Sequence, residues 1–222
     1  MKRALNHLIV VLGPTASGKS NLGIQIAKEF DGEIISADSM QIYRGFDIGT
    51  AKIKPAETEG IPHHLIDIKD PNESFSVSEY QKLARETIED IFKRKKTPIL
   101  VGGTGLYIDS TLYNYDFADI SEEQREENIK WRNYYQDFAK KEGKTELYNL
   151  LKETDPETAF RLHPNDVKRI IRALEYYKIH GRPISQNTAA LTDRTNVFSA
   201  YIIGLTMERA VLYQRINERV DQ

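Results

Sequence analysis

The sequence predicts an α/β fold in which a parallel sheet is flanked by helices and carries an all-helical insertion domain. Short apolar runs alternate with helix-patterned segments over residues 1–118, an order typical of parallel strands joined by crossover helices. The alternation stops over residues 119–195, where the chain is helical and charged, and a strand pattern returns within residues 196–222. We therefore expect an α/β core built from the first and last ranges, with the middle range inserted into it.

Composition sets broad limits on the class of protein. The chain has 222 residues, of which 40% are hydrophobic and 29% are charged, so it can bury a core. It has no cysteine, which excludes disulfides and thiolate metal sites and fits a reducing compartment. No apolar run approaches the roughly 20 residues that cross a bilayer, so we expect a cytoplasmic protein without a membrane partner. A net charge of −2 argues against a general nucleic-acid coat but leaves a local basic patch open.

The first strand-to-helix turn carries the strongest motif. An apolar run at residues 8–12 leads into a glycine-bounded turn, and a helical pattern follows at residues 21–30. Backbone N–H groups of such a turn, together with the helix N-terminus, bind phosphate oxygens, which makes the expected sheet P-loop NTPase-like. Lys19 supplies a cation for the outer phosphate, and the Ser20 hydroxyl is the expected ligand of a Mg²⁺ cofactor. The predicted phosphate-binding residues are Gly13, Pro14, Thr15, Ala16, Ser17, Gly18, Lys19 and Ser20.

The second strand, residues 33–37, ends at Asp38. In an open α/β sheet, a residue just past the carboxyl end of a strand lies in the ligand crevice, so Asp38 is the expected functional carboxylate. Residues 39–52 have neither a helical nor a strand period, which is common in functional loops.

Two further features each leave an alternative open. His63 and His64 are adjacent, and neighbours on an extended strand point to opposite faces, so a structural or substrate-loop role is favoured over zinc. A helical pattern over residues 76–95 ends in a basic run at residues 93–96. This run either complements the helix dipole, which we favour, or contacts RNA.

The third predicted strand, residues 98–101, leads into Gly102, Gly103, Thr104 and Gly105 and a helix over residues 106–112. An ATP-hydrolysing P-loop enzyme usually ends this strand with a magnesium-holding aspartate. Here glycines take that place, so another group can approach the backbone closely. Thr104 is the one side chain of this turn that offers a hydroxyl.

The insertion is predicted to form helices over residues 121–141, 144–153, 156–162 and 166–180, with Asn165 as the N-cap of the last. Residues 161–182 carry six basic residues against two acidic ones. We expect a phosphate-contacting patch at Lys168, Arg169 and Arg172. After a strand within residues 197–205, a helical pattern runs from residue 207 to the last residue, and we expect a further C-terminal portion.

Four motifs together resemble the tRNA dimethylallyltransferase family. They occupy residues 13–20, 38–45, 102–107 and 163–169, and residues 215–221 resemble a fifth. The resemblance implies transfer of a dimethylallyl group from dimethylallyl diphosphate to N6 of the adenosine 3′ to the anticodon, with release of diphosphate. Ser20 stands where the family often has threonine, and the family continues beyond this length with helices that help to hold tRNA.

The residue chemistry suits this reaction. The P-loop would hold the leaving diphosphate with Mg²⁺, and Asp38 would act as general base, orienting acceptor or second-shell magnesium ligand. The expected catalytic residues are Asp38, Thr104 and Arg219, with Thr104 placed at the reacting centre by the resemblance. The expected tRNA-contacting residues are Asp38, Ser39, Met40, Gln41, Thr104, Lys168, Arg169 and Arg172.

Two other functions fit parts of the sequence. A P-loop alone also suits a small-molecule or nucleotide kinase, which phosphoryl transfer from ATP would reveal. A tRNA-binding protein without catalysis is the third possibility, and the intact Lys19 and Asp38 count against it. We expect a monomer whose partners are the anticodon stem-loop of tRNA and dimethylallyl diphosphate.

Overall fold

The structure is a computed structural model that describes residues 5–115, 122–187 and 195–221. The chain divides into two compact units. The first comprises Met1–Asn114 and Thr195–Gln222, and the second comprises Tyr115–Arg194. The predicted boundary between residues 118 and 119, and the predicted helix start at residue 121, lie outside the described residues.

A five-stranded parallel sheet forms the centre of the first unit. Its strands are β1 (Leu8–Leu12), β2 (Gly32–Ala37), β3 (His63–His64), β4 (Thr97–Gly102) and β5 (Ala200–Gly204), in the order β3-β2-β4-β1-β5. Each pair of neighbouring strands is parallel, and Ala37 at the end of β2 pairs with Gly102 at the end of β4. The predicted parallel α/β fold is confirmed.

Helices cover both faces of this sheet. They are α1 (Lys19–Glu29), α2 (Val77–Lys93) and α3 (Gly105–Leu112). A further helix, α8 (Arg209–Val220), follows β5 and has no buried residue. The start of α2 is fixed by a capping box, because the Ser76 hydroxyl accepts from the Glu79 N–H and the Glu79 carboxylate accepts from the Ser76 N–H.

Successive side chains of a strand point to opposite faces of the sheet, so the strand residues alternate between two apolar cores. On one face Leu8, Val10, Ile35 and Leu100 pack in a cluster with residues of α2 and α3. On the other face Ile9, Val11, Ile34, Ile99 and Val101 pack with Ile24 and Ala27 of α1. Because both faces are covered, the central strands read as continuous apolar runs.

The second unit consists of helices around its own apolar core. Its helices are α4 (Glu122–Lys141), α5 (Lys144–Thr154), α6 (Pro156–Arg161) and α7 (Val167–His180). The core includes Tyr135, Leu147, Leu151, Ile170 and Leu174. Asp155 is buried and caps α6 by accepting from the Thr158 N–H at 3.0 Å.

The sequence misses one strand, and one local prediction is wrong. His63–His64 forms the partly buried edge strand β3, which at two residues is too short to show a strand period. The predicted third buried strand is β4. The N-cap of α7 is Asp166, not Asn165. The Asp166 N–H donates to the His163 carbonyl at 2.8 Å, and this turn delays the helix by one residue.

Candidate active site

The loop between β1 and α1 has the backbone of a phosphate-binding turn. Gly18 is the N-cap of α1 with φ 91°, in the left-handed region that favours glycine. A Cβ on Gly13 would lie 2.8 Å from the Leu205 carbonyl oxygen and 3.1 Å from Ser17 Oγ, so only glycine fits there. The 11-residue α1 begins at this loop, so N–H groups of its first turn that have no acceptor within the helix lie here with the positive end of the helix dipole.

Lys19 closes over the loop. Its Nζ donates to the Pro14 carbonyl oxygen at 2.6 Å. Burial lowers the pKa of Lys19, the nearby Asp38 carboxylate opposes that shift, and Arg219 adds to it. The two predicted catalytic groups Asp38 and Arg219 are therefore within electrostatic reach of the P-loop lysine.

Asp38 is held by the turn that follows β2. Its Oδ1 accepts from the Met40 N–H at 2.9 Å and from the Gln41 N–H at 3.3 Å. Within the described part of the chain, its Oδ2 has no hydrogen-bond donor. The carboxylate is thus fixed in orientation and keeps one oxygen available to a ligand.

Thr104 lies beside Asp38 because β2 and β4 are neighbours. Its N–H donates to the Ala37 carbonyl at 3.1 Å, and its Oγ1 accepts from the Ser39 N–H at the same distance. Although Thr104 is the N-cap of α3, its hydroxyl does not cap that helix. The hydroxyl instead ties the turn after β4 to the turn after β2.

The glycines at the end of β4 bring this edge close to the P-loop. A Cβ on Gly102 would lie 2.1 Å from the Ala37 carbonyl oxygen, so the position cannot hold a side chain. A Cβ on Gly103 would lie 3.5 Å from the Gly13 carbonyl oxygen and 3.9 Å from Lys19 Nζ. The ends of β1, β2 and β4 therefore converge at the place where the sequence has glycines instead of an aspartate.

A cleft opens next to Ser20. Its polar lining is Ser20, Ser36, Gln41 and His63, and its apolar lining is Ile34, Ile53, Ile66 and Val101. Gln41 is oriented at both ends of its amide, accepting from Ser36 Oγ at 3.4 Å and donating to the Thr50 carbonyl at 3.3 Å. Ile53 and Ile66 are not predicted here from the sequence, because they lie in irregular segments whose approach to Ser20 is set only by the fold. His63, for which the sequence favours a structural or substrate-loop role, lies in the edge strand β3.

Arg219 lies on α8, which belongs to the first unit. Its Nη2 donates to the Gly49 carbonyl at 3.4 Å, so it contacts the loop that leaves Asp38. The predicted P-loop residues, Asp38, Ser39, Met40, Gln41, Thr104 and Arg219 all belong to the first unit. Met40 is 46% exposed.

The predicted basic residues of α7 differ in their surroundings. Lys168 and Arg169 are exposed, and Arg169 pairs with Asp166 at 3.2 Å. Arg172 pairs at 3.0 Å with Glu175, whose side chain is only 1% exposed and also binds Arg132. Arg172 therefore neutralises a buried carboxylate in addition to any role at the surface.

The histidine pair and the basic run take part in structural contacts. His64 Nε2 lies 2.7 Å from a carboxylate oxygen of the buried Glu33, and Arg94 binds the same carboxylate. These contacts, the Arg94 hydrogen bond foremost, hold the pKa of Glu33 below its usual value although burial opposes them. Lys96 pairs with Asp31 at 2.9 Å. Among the described residues no group of three or more His, Asp or Glu side chains is arranged to hold a metal ion.

Comparison with known proteins identifies the family. A family model described as IPP transferase matches residues 41–222. This chain belongs to the IPP transferase family. A relative from Geobacillus thermodenitrificans, named tRNA dimethylallyltransferase, is 52% identical over 215 residues, covering 97% of this chain and 66% of that protein. One from Thermoanaerobacter sp. with the same name is 51% identical, covering 97% of this chain and 68% of that protein.

Solved structures of the family share the fold. The full-length tRNA isopentenylpyrophosphate transferase from Bacillus halodurans has a TM-score of 0.62 at 44% identity, over 98% of this chain and 66% of that one. A eukaryotic dimethylallyltransferase acting on tRNA has a TM-score of 0.74 at 34% identity, over 96% of this chain and 52% of that one. The chain thus spans about two thirds of the length of these three bacterial relatives.

Proposed function

We propose that this family member transfers the dimethylallyl group of dimethylallyl diphosphate to N6 of the adenosine 3′ to the anticodon of tRNA, giving N6-isopentenyladenosine and diphosphate. The observation that carries the proposal is the convergence of the P-loop, Asp38 and Thr104 at one sheet edge that lacks the strand-end aspartate of ATP hydrolysis. The names of the relatives support this reaction over a kinase.

The P-loop suits the diphosphate of the donor. The N-terminus of α1 and Lys19 offer positive charge, and Ser17 Oγ is a buried hydroxyl that has no hydrogen-bond partner among the described residues. An anionic oxygen in the loop would supply the missing acceptor. Leaving such a hydroxyl unpaired costs about 1–3 kcal/mol, so ligand binding recovers part of this free energy.

The residues present also suit Mg²⁺, which is usually held by one or two protein oxygens together with substrate phosphates. Ser20 is exposed beside the loop and would supply a hydroxyl oxygen. Bound there, the ion would neutralise charge that develops on the leaving diphosphate.

Asp38 is proposed to accept the proton. The N6 lone pair forms a bond to C1 of the dimethylallyl group while the C1–O bond breaks and its electrons leave with the diphosphate. An N6 proton then passes to Asp38, whose Oδ2 is the available oxygen. Thr104 would contact the reacting centre, and Lys19 and Arg219 would stabilise the departing charge.

Recognition of tRNA is proposed to involve two sets of residues. The turn after β2 supplies Ser39, Met40 and Gln41 with Asp38 and Thr104, and α7 supplies Lys168, Arg169 and Arg172. The target base must leave its stack to reach Asp38, at a cost of a few kcal/mol. We propose that the protein acts as a monomer in the cytoplasm. No helix in the described ranges is long and apolar enough to cross a membrane.

The test is transfer of radiolabel from dimethylallyl diphosphate to an unmodified anticodon stem-loop in the presence of Mg²⁺. We expect label in the RNA, and a single-turnover rate about 10²-fold lower in Asp38→Asn, which keeps the acceptor for Met40 and Gln41 and removes the charge. Lys54→Met, a change at an exposed lysine, serves as the control. Phosphoryl transfer from ATP without RNA labelling would show that the protein is a kinase instead.

A further inference from the structure

Lys52 is a buried lysine in the loop that leaves Asp38. Its side chain is 5% exposed. Its Nζ donates to the Tyr43 carbonyl at 2.8 Å and to the Asp47 and Asp67 carboxylates at 2.6 Å each. All three ammonium hydrogens therefore have an acceptor, and the contacts join three separate parts of residues 43–67.

The charge on Lys52 is maintained in spite of its burial. Burial opposes the charged form, but the Asp47 and Asp67 carboxylates hold the pKa of Lys52 above its usual value. An apolar side chain could fill the same space without desolvating a charge, so stability alone does not account for this ion cluster. A buried charge with fixed partners can restrict a loop to one conformation.

The backbone around this cluster is constrained. Ala51 and Asp67 have φ of 45° and 56°, and Leu65 has φ of 60°, all in the left-handed region that non-glycine residues rarely adopt. Such conformations persist only where the surrounding contacts over-determine them, and they concentrate at functional sites. Lys52 contributes charge-assisted hydrogen bonds to those contacts.

A short path of hydrogen bonds leads from Lys52 to the Asp38 carboxylate. Lys52 binds the Asp67 side chain, and the Asp67 N–H donates to the Gln41 carbonyl at 3.2 Å. The Gln41 N–H in turn donates to Asp38 Oδ1 at 3.3 Å. The Gln41 side chain also donates to the Thr50 carbonyl, two residues before Lys52. Gln41 is thus attached on two sides to the segment that Lys52 holds.

We propose that Lys52 is a positioning residue for the transfer reaction. It fixes residues 41–52 so that Gln41 holds the Asp38 carboxylate at the carboxyl edge of the sheet. This inference rests on the proposed function, because its kinetic consequence is measured in that reaction. It assigns no contact between Lys52 and either substrate.

The experiment compares Lys52→Met with Lys54→Met, an identical change at an exposed lysine two residues away. Three quantities are measured: the Kd for inorganic diphosphate, the single-turnover rate of RNA labelling at saturating substrates, and amide hydrogen exchange. For Lys52→Met we expect an unchanged Kd and a rate roughly 10-fold to 100-fold lower, since small misplacement of a reacting group has effects of this size. Exchange should rise within residues 41–52 and stay unchanged in β4 and α1. Lys52→Arg should recover part of the rate, and Lys54→Met should match wild type.

Two results would overturn the proposal. Unchanged exchange within residues 41–52 would mean that Lys52 does not order the loop. Exchange raised equally in β4 and α1, with diphosphate binding weakened in parallel, would mean that Lys52 only contributes general stability. If Lys52→Met does not fold, Asp67→Asn receives the same measurements, because it removes one carboxylate and keeps the lysine. If the wild-type protein labels no RNA, the proposed function fails, whereas exchange and diphosphate binding still decide whether Lys52 orders the loop.

Discussion

Gly102, Gly103 and Gly105 lie at or just after the end of β4, and an added Cβ would meet different surroundings at each. Alanine substitution at the three positions should therefore have three different effects. At Gly102 the new Cβ would lie 2.1 Å from the Ala37 carbonyl oxygen and 2.4 Å from its carbonyl carbon. Real Cβ contacts are essentially never shorter than 3.0 Å, so backbone of paired strands must move by about 0.9 Å. Rotation of a side chain cannot relieve this overlap, because both atoms belong to the backbone.

Overpacking of this kind typically destabilises by about 1–3 kcal/mol. For a chain of this size we expect Gly102→Ala to lower Tm by roughly 2–12 °C, as measured by thermal unfolding. Gly105 provides the control, since a Cβ there meets nothing within 4 Å and the residue begins α3. Gly105→Ala should therefore leave Tm unchanged or raise it, because alanine favours helix by up to about 1 kcal/mol.

Gly103→Ala should show a third behaviour. Its Cβ would lie at ordinary contact distances of 3.5 Å from the Gly13 carbonyl oxygen and 3.9 Å from Lys19 Nζ, so Tm should change little. The methyl group would nevertheless lie against the P-loop cation, and the Kd for inorganic diphosphate should rise. Equal Tm values for Gly102→Ala and Gly105→Ala would refute the reasoning from close strand packing. An unchanged Kd in Gly103→Ala would refute the reasoning about the convergence of the two turns.

The remaining predictions concern charged residues. Lys19→Met should weaken diphosphate binding about 10-fold to 150-fold in titration calorimetry, because it removes a charge-assisted hydrogen bond of about 1.5–3 kcal/mol. Lys28→Met, a change on the same helix, should leave diphosphate binding unchanged. The pKa of Glu33 is lowered on folding, so its contribution to stability is present above pH 4.5 and is lost as pH falls through the folded-state pKa. Glu33→Gln should therefore make the free energy of unfolding less dependent on pH in the acid range. Lys168→Ala should reduce the salt slope of tRNA binding by about one with Tm unchanged, whereas Arg172→Ala should also lower Tm because it leaves a buried carboxylate with one partner fewer.

The sequence predicts that the P-loop, Asp38 and Thr104 lie at one sheet edge, because that placement depends on local rules, and their roles stay predictions. A glycine-bounded turn between strand and helix specifies the P-loop, and the rule that strand ends face the ligand crevice selects Asp38 and Thr104. The structure brings these positions together through the parallel register of β2 and β4, in which Ala37 pairs with Gly102.

Other parts depend on contacts between distant residues, which no local pattern records. Lys52 pairs with Asp67, which lies 15 positions away across an irregular loop. In the sequence, nothing distinguishes this buried lysine from one at the surface. Arg172 resembles its neighbour Arg169 in sequence, but its partner Glu175 is buried against α4 and shared with Arg132. Edge strand β3 is too short to have a period at all. In each case tertiary packing decides the role.

The placement of the candidate catalytic groups favours the proposed prenyl transfer over phosphoryl transfer. In phosphoryl transfer the protein must act on the phosphorus atom, and a carboxylate at the end of β4 would hold the metal there. Here Gly102 and Gly103 leave that place empty of side chains, and the available carboxylate, Asp38, stands at the end of the adjacent strand β2. In the proposed reaction a diphosphate bound by the loop would serve as the leaving group. Thr104 and Asp38 beside it would then face the carbon that is attacked and its nucleophile. Glycines in place of an acidic strand end would therefore suit attack at carbon rather than at phosphorus, with the diphosphate still held by the P-loop.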